Sequence, residues 1–397
     1  MSDLRQIFFE GQCNGEQSQA CLKAAECSLS SIFYQLIRVA IGTQETLSRI
    51  PSEAEWEELF EMAVKQSLVG VCFCGIHQLG ADSDEGYVQI GMSEDLYFDW
   101  MGMAAQINMK NELVNRQCVE VQQMIENAGF RTFIMKGQGN AVLYNSSEDL
   151  SLFRQSGDID IYLDGGFKKV NDFVQNTCPT NQINELEIHY HCLEDTEVEI
   201  HYRPFIMRSP IKNARLQRFF KDAIRYDNKV ALPNDAGEIN VPTTEFNLVH
   251  QMVHIFHHML IGGIGMRQLM DYYFVLRTSY DNENDNENVL CVVHELGLNR
   301  FASALMWVLG YVFGLPQELM LWKPDEKDGR FLLNEVMLSG NFGNYDERLP
   351  QHRTKWQSFW MLSIHNLRLL RFDKTDWFWG PLWRLYHYMW RKSKGFK

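Results

Sequence analysis

The chain lacks several features that would settle its class at once. No Cys-x-x-Cys pair occurs among its 9 cysteines, and the step from Cys72 to Cys74 is wrong for a zinc knuckle. Scattered thiols, odd in number, read as small buried hydrophobes in a reducing compartment rather than as a disulfide framework. No GxxxxGK[ST] loop is present, which excludes a Walker-type phosphate cradle. Cations are in deficit: 37 Lys and Arg against 51 Asp and Glu leave a net charge of −14. A general nucleic-acid binder needs clustered Lys and Arg, so long nucleic acid is not an expected partner, although a local basic patch survives this argument. Long apolar runs are missing too. The longest, Phe301 to Pro316, falls short of the roughly 20 residues that a bilayer requires and contains two glycines, so it reads as a buried helix and no transmembrane segment is expected. The opening MSDLRQIFFEGQ has no apolar core after its first Arg, so it does not read as a secretory signal, and a cytoplasmic location is expected.

What is present is a folded chain of 397 residues with 45% hydrophobic and 22% charged side chains. At roughly 100–200 residues per domain, two or three packed units are expected. Residues 1–129 read as a helical region. Ser52 is the N-cap of a helix with a Trp56, Leu59, Phe60, Ala63 stripe, and a second pattern runs from about Leu96 to Asn127 and stops at Ala128-Gly129. The first hundred residues carry 16 acidic and 5 basic side chains, which reads as a solvated helical face. Residues 130–242 change texture. A strand at 131–135 breaks into Lys136-Gly137-Gln138-Gly139, followed by a short helix, Asn140 to Tyr144, a polar loop, and a strand from Asp158 to Leu163. Phe167 to Asn176 looks helical, and Leu186–Leu193 with Val198–Phe205 forms a hairpin signal around Glu194-Asp195-Thr196-Glu197. Residues 243–397 are helical again, with the run Asp281 to Asn288 as a solvated linker. The expected class is α+β, a mixed core between two helical regions.

Chemistry concentrates in that core. Alternation along a strand puts Asp158 and Asp160 on one side and Ile159 and Ile161 on the other. Two carboxylates side by side persist when a cation sits between them, and hard divalent ions with oxygen ligands are the usual answer. In Val198-Glu199-Ile200-His201-Tyr202-Arg203 the odd positions form the polar face, so Glu199 offers a third carboxylate with His201 and Arg203 beside it. Three carboxylates from two strands suit a two-metal clamp for phosphoryl transfer. The Lys-Gly-x-Gly turn at a helix start supplies backbone N–H groups and a cation, and Arg154, Ser156 and Gly157 add donors, all of them phosphate-binding chemistry.

Ile134-Met-Lys-Gly-Gln138, Arg154-x-Ser-Gly-Asp-Ile-Asp-Ile161 and Val198-Glu-Ile-His-Tyr-Arg203, in this order, resemble the uncharacterised bacterial nucleotidyltransferase family of the DNA polymerase β superfamily. The segment from Trp56 to Gly70 is similar to its N-terminal Trp helix. His250-x-x-x-His254 with Gly265-Met-Arg-Gln-Leu-Met-Asp271 is similar to its C-terminal signature, so the resemblance covers about residues 50–280. Two departures stand out. Gly137-Gln138 lies about twenty residues ahead of the Asp pair, where the superfamily's usual Gly-Ser or Gly-Gly lies about ten ahead, and Glu199 stands where Asp is more usual. The resemblance implies a polymerase β-like core, a short mixed sheet with flanking helices. It implies Asp158, Asp160 and Glu199 as ligands of Mg²⁺, or Mn²⁺ in its place, and as the catalytic set. Lys136, Gly137, Gln138, Arg154, Ser156 and Gly157 would cradle the triphosphate of an NTP such as ATP. The implied reaction transfers NMP to an acceptor hydroxyl and releases pyrophosphate. The acceptor stays open between a small molecule, a sugar, a protein side chain and an RNA end.

Two further features carry alternatives. His250, His254, His257 and His258 share one helix face, readable as a transition-metal site, as a cleft wall opposite the Asp pair, or as hydrogen-bonded core histidines. Arg267 and Asp271, four apart, read as an intrahelical ion pair. The tail from Ser363 to Lys397 has 8 Lys and Arg against 2 Asp, interleaved with aromatics. It reads as a C-terminal helix packing its aromatic face on the body, with docking of a protein partner as the alternative. The rival functions are a catalytically inactive nucleotide- or partner-binding module on the same fold, and a metal-dependent phosphohydrolase using the His250/His254 helix.

Overall fold

The computed structural model describes residues 28–81, 86–144, 150–279, 283–348 and 366–394. Cys13, Cys21 and Cys27, the polar loop at 145–149, and residues 363–365 and 395–397 of the tail lie outside these segments.

The N-terminal helices are α1 (Leu29–Ala40), α2 (Glu53–Gln66) and α3 (Val69–Ile76). Their ends follow from local chemistry. The Ser52 side chain accepts from Glu55 N while the Glu55 carboxylate accepts from Ser52 N at 2.9 Å, a reciprocal capping box that satisfies two otherwise orphaned donors. Trp56, Leu59 and Ala63 then form the buried stripe of α2. Gly70 in α3 is required by close approach: a Cβ there would stand 2.3 Å from the Phe153 carbonyl oxygen. That contact ties the helical region to the turn that leads into Arg154.

The long helix α4 (Glu94–Asn127) leads into the mixed core, β1 (Thr132–Ile134), α5 (Gln138–Ala141), β2 (Ile159–Leu163), α6 (Gly166–Thr177), β3 (Glu187–His189) and β4 (Val198–His201). The sheet order is β1-β2-β4-β3. β2 runs parallel to β4 and antiparallel to β1, and β3 pairs antiparallel with β4. The hairpin is therefore present with shorter strands than the periodicity suggests, because the chain turns away after His189. Ile159, Ile161, Leu163, Val198 and Ile200 face Val114, Cys118, Val121 and Ile125 of α4 and Val170 and Val174 of α6 in one apolar core. Phe133 and Tyr162, on the opposite sheet face, stack at 5.1 Å and join a larger core built by the helical regions. The same sheet face as Tyr162 also carries Asp160, Glu199 and His201.

After α7 (Pro210–Ala223) and the separate hairpin β5 (Lys229–Leu232) and β6 (Gly237–Asn240) come α8 (Thr244–Ile261), α9 (Met266–Thr278), α10 (Glu283–Glu295), α11 (Asn299–Phe313), α12 (Glu326–Ser339) and α13 (Lys374–Lys394). The acidic run read as a linker is a correction. From Glu283 onward it forms the first turns of α10, because carboxylates and Asn are favoured at a helix N-terminus. The 301–316 run is a buried helix, closed by Gly314 in the left-handed region at φ 72°. Among the described residues no helix is long and apolar enough to cross a membrane. Cys72, Cys74 and Cys118 are buried as expected, whereas Cys178 and Cys192 are half-buried and Cys291 is exposed. The tail forms α13, whose Trp390 ring meets Phe167 of the body at 6.1 Å.

Candidate functional site

The register of the parallel pair assembles the site. Asp160 pairs with Glu199, and in the next ladder His189 pairs with Glu199 and Glu187 with His201. Since alternate residues share a face, Asp160, Glu187, His189, Glu199 and His201 all project from one side of three adjacent strands. His201 Nε2 lies 2.9 Å from Asp160 Oδ1 and 3.2 Å from Glu187 Oε2. Lys136, at the end of β1, places Nζ 2.6 Å from the same Asp160 oxygen. Two ligand sets come within reach of a common ion: Asp160, Glu199 and His201, and Glu187, His189 and Glu199. Asp158 belongs to neither. It sits at the exposed rim of the cleft.

The electrostatics show a shortage of positive charge. Burial works against the Asp160 carboxylate, but Lys136 and His201 outweigh it and hold it well below the usual carboxylate range. Lys136 is itself raised, Asp160 and Asp158 overcoming the burial that opposes its charge. No such help reaches Glu199. Burial, then Asp160, Glu187 and Asp158, push it up to about 9, so without an added cation it holds its proton at neutral pH. Asp158, exposed at the rim, is raised chiefly by the neighbouring Asp160 carboxylate. Four carboxylates facing one lysine are the donor chemistry of a hard divalent ion, and the residues fit such an ion on charge and ligand type.

The cluster opens into a cavity of ≈ 520 Å³. Lys136, Gly137, Arg154, Gly157, Asp158, Asp160 and Glu199 border it. Gly137 adopts φ 51°, a left-handed conformation that turns the chain sharply from β1 into α5. Other sequence candidates are engaged elsewhere. Gln138 is buried and donates to Asn111 at 3.2 Å and to Asn115. Ser156 is not part of the cavity lining. Arg154 borders the cavity, yet its Nε and Nη2 bind both oxygens of Asp271 at 2.7 and 2.8 Å, with the Tyr144 hydroxyl on the same carboxylate at 2.6 Å. Its strong donors are thus consumed in a buried structural pair. Arg203 points away: its guanidinium is 6.0 Å from the Tyr202 ring, and it lines a neighbouring cavity.

The reading of Arg267 and Asp271 as a pair is corrected by the same network, because Asp271 is already held by Arg154. Arg267 donates instead to the Gln155 carbonyl at 2.7 Å and faces the cavity, with its Nε lacking a hydrogen-bond partner. It is 9% exposed, and burial followed by Arg154 lowers it to about 10, so it remains a cation at neutral pH with no carboxylate of its own among the described ion pairs. That is the property expected of a phosphate-binding arginine.

The histidine helix splits. His254, His257 and His258 border the cavity, whereas His250, one turn earlier, does not. His250 is fully buried, with Nε2 3.3 Å from the Pro204 carbonyl oxygen. Burial, with Lys136 next, pulls His250 down to about 3 and His258 to about 4, and burial pulls His254 and His257 well below their ordinary range. These rings form a neutral wall. Among the described residues no trio of metal ligands includes them, and the His250 and His254 rings stack 6.2 Å apart rather than converging.

A family model described as uncharacterised nucleotidyltransferase matches residues 52–314. The chain belongs to this family. No curated protein and no solved structure matches it. The span common to the nucleotidyltransferase family runs from the Ser52 cap to the Gly314 terminus of α11, and so contains the whole carboxylate cluster, Lys136 and Arg267. It leaves out α13, whose Trp383, His387 and Arg391 close one side of the cavity.

The cluster and its cavity contain ionisable groups that the sequence reading did not place there. Glu187 and His189 lie in a segment recognised as a strand, and pairing that strand with Val198–His201 would have put them opposite His201 and Glu199. For Arg267 the i, i+4 spacing pointed the wrong way, since the true partner of Asp271 is 117 residues away in sequence.

Proposed function

We propose that the protein is a divalent-cation-dependent nucleotidyltransferase, built on a polymerase β-like core at about 130–242, that transfers NMP from an NTP to an acceptor hydroxyl. The observation that carries this reading is the carboxylate cluster around the Asp160–Glu199 register pair, under-neutralised by a single lysine and open to a cavity holding Arg267. Asp160, Glu199 and Glu187 would hold Mg²⁺, or Mn²⁺ in its place, with Asp158 at the rim. Bound there, the ion would supply charge neutralisation on the phosphates. Lys136, the Gly137 turn and Arg267 bind and orient the triphosphate, the last replacing Arg154, which fixes the loop that carries Asp158. The acceptor oxygen forms a bond to the α-phosphorus as the bond to the β-phosphate bridge breaks. Pyrophosphate leaves in line, and the hydroxyl proton passes to a carboxylate of the cluster. The neutral histidine wall excludes water without adding charge.

The test is isothermal titration of ATP, GTP, CTP and UTP, with Mg²⁺ and with chelator, into wild type and an Asp158→Ala/Asp160→Ala variant. Mg²⁺-dependent binding that the variant loses is expected. No nucleotide binding by folded wild type would sink the reading. A second reading draws on the Lys136–Asp160 contact of 2.6 Å. A lysine that stays on that oxygen competes with a cation, which suits a nucleotide- or partner-binding module without turnover. Retained NTP binding with no pyrophosphate release identifies it.

A further inference from the structure

A second cavity, of ≈ 670 Å³, adjoins the first. Both are bordered by Glu185, Trp383 and His387, so the two spaces meet along that line. One long wall of the second cavity is a single face of α13, formed by Trp379, Trp383, Tyr386, His387 and Trp390, whose spacings from the first are four, seven, eight and eleven. The rings are held in place by one another. His387 stacks on Trp383 at 5.3 Å and 4° and on Trp390 at 6.0 Å and 19°. At the junction, His387 Nε2 meets Glu185 Oε2 at 2.5 Å.

The rest of the lining is mainly apolar, with Tyr202, Ile206 and Met207, and carries two cations, Arg203 and Arg208. Arg203 follows β4 directly, and Arg208, 5% exposed, packs its guanidinium near Gly380 of α13. Among the described lining residues Glu185 is the sole carboxylate, and it sits at the junction against His387. Flat aromatic faces take up rings that present C–H or π surfaces, and guanidinium groups take up phosphate or carboxylate. The volume lies in the range of small-molecule pockets.

We propose that this cavity is the acceptor subsite and takes a sugar bearing a phosphate or a carboxylate. The ring stacks on Trp379 and Trp383, the anionic group binds Arg203, and a free hydroxyl reaches past the Glu185–His387 contact into the carboxylate cluster. A sugar meets both demands at once, since it offers a ring face and a hydroxyl nucleophile. The acceptor role rests on the transferase reading above. The aromatic wall of the subsite comes from α13, outside the span matched by the family model, whereas Arg203 and Arg208 lie inside that span, so acceptor choice draws in part on a segment separate from the one that holds the carboxylates.

The experiment is isothermal titration of the full chain with glucose 6-phosphate, glucuronate, glucose and inorganic phosphate, without nucleotide. Glucose 6-phosphate or glucuronate is expected to bind at least about tenfold tighter than glucose or phosphate alone, the worth of one charge-assisted hydrogen bond. Arg203→Ala and Trp379→Ala, each with unchanged circular dichroism, should each weaken that binding about tenfold or more. Asp160→Asn should retain it while losing Mg²⁺–ATP binding. No sugar binding, equal binding of phosphate alone, or indifference to both cavity substitutions would overturn the proposal. Sugar binding by a wild type that binds no nucleotide would overturn the acceptor role and the transferase reading, and would leave the ligand class standing.

Discussion

Replacing Glu199 by glutamine tests the electrostatic account of the site without needing a substrate. The folded protein holds this carboxyl at about 9 against an ordinary value of 4.5, first through burial and then through Asp160, Glu187 and Asp158. Between those two values the folded state carries a proton that the unfolded state has lost. Metal-free stability therefore falls as pH rises, by about 1.4 kcal/mol per pH unit for one fully displaced proton. Integrated from the unfolded value to pH 7 this comes to about 3 kcal/mol, and sharing of the proton within the cluster brings the expected effect to about 1–3 kcal/mol. Glutamine has the same shape and no proton to lose. In chelator, Glu199→Gln should thus match wild type near pH 5 and exceed it progressively up to pH 8, as read by urea denaturation at each pH. Added Mg²⁺ should stabilise wild type and close the gap, because the ion replaces the proton. A stability difference that is flat with pH, or one that favours wild type in chelator at pH 8, would refute the reasoning.

Three further outcomes follow from the same geometry. Mg²⁺ binding to wild type at pH 7.5 should release about one proton, seen as a dependence of the titration enthalpy on buffer ionisation, and Glu199→Gln should show no such release. Two of the cavity arginines, Arg154 and Arg267, should separate cleanly. Arg154→Met strands the Asp271 charge in the interior and should cost about 3–5 kcal/mol of stability in denaturation, whereas Arg267→Ala should leave stability nearly unchanged and weaken Mg²⁺–ATP binding about tenfold. His254→Gln should leave metal binding unaltered in titrations with Mg²⁺ and with Zn²⁺, because among the described residues no trio of metal ligands includes a histidine of that face.

The parts of the molecule that could be read from sequence are those governed by neighbours in the chain. The Ser52 cap, the alternation that separates Ile159 and Ile161 from Asp160, and the exit at Ala128-Gly129 depend on interactions within a few residues, and each is found in the structure. What escaped depends on contacts across the fold. Glu187 matters because β3 folds back beside β4, and Asp271 is claimed by an arginine on a distant loop rather than by its helical neighbour. The histidine face was readable as a face. Which of its turns would meet the cavity depended on contacts across the fold: the Pro204 carbonyl and the Phe220 and Phe246 rings cover His250, while His254, His257 and His258 border the cavity. The acidic run at 283–288 misled in another way, because the residue types that solvate a loop also start a helix.

The helix α4 has 34 residues, hence a length of about 51 Å at 1.5 Å per residue. Its first half buries Tyr97, Trp100 and Ala104 in the larger core, and its second half buries Val114, Cys118, Val121 and Ile125 under the sheet. One continuous rod thus belongs to both halves of the molecule, and neither can melt without fraying it. Amide protons along α4 should therefore be among the slowest in the protein to exchange with deuterium, with no step in protection where the two cores meet. A fragment beginning at residue 130 would uncover the apolar sheet face and should aggregate, whereas one beginning before Glu94 keeps that face covered. The carboxylate-bearing strands and the N-terminal helices are then expected to appear and disappear as one cooperative unit during folding.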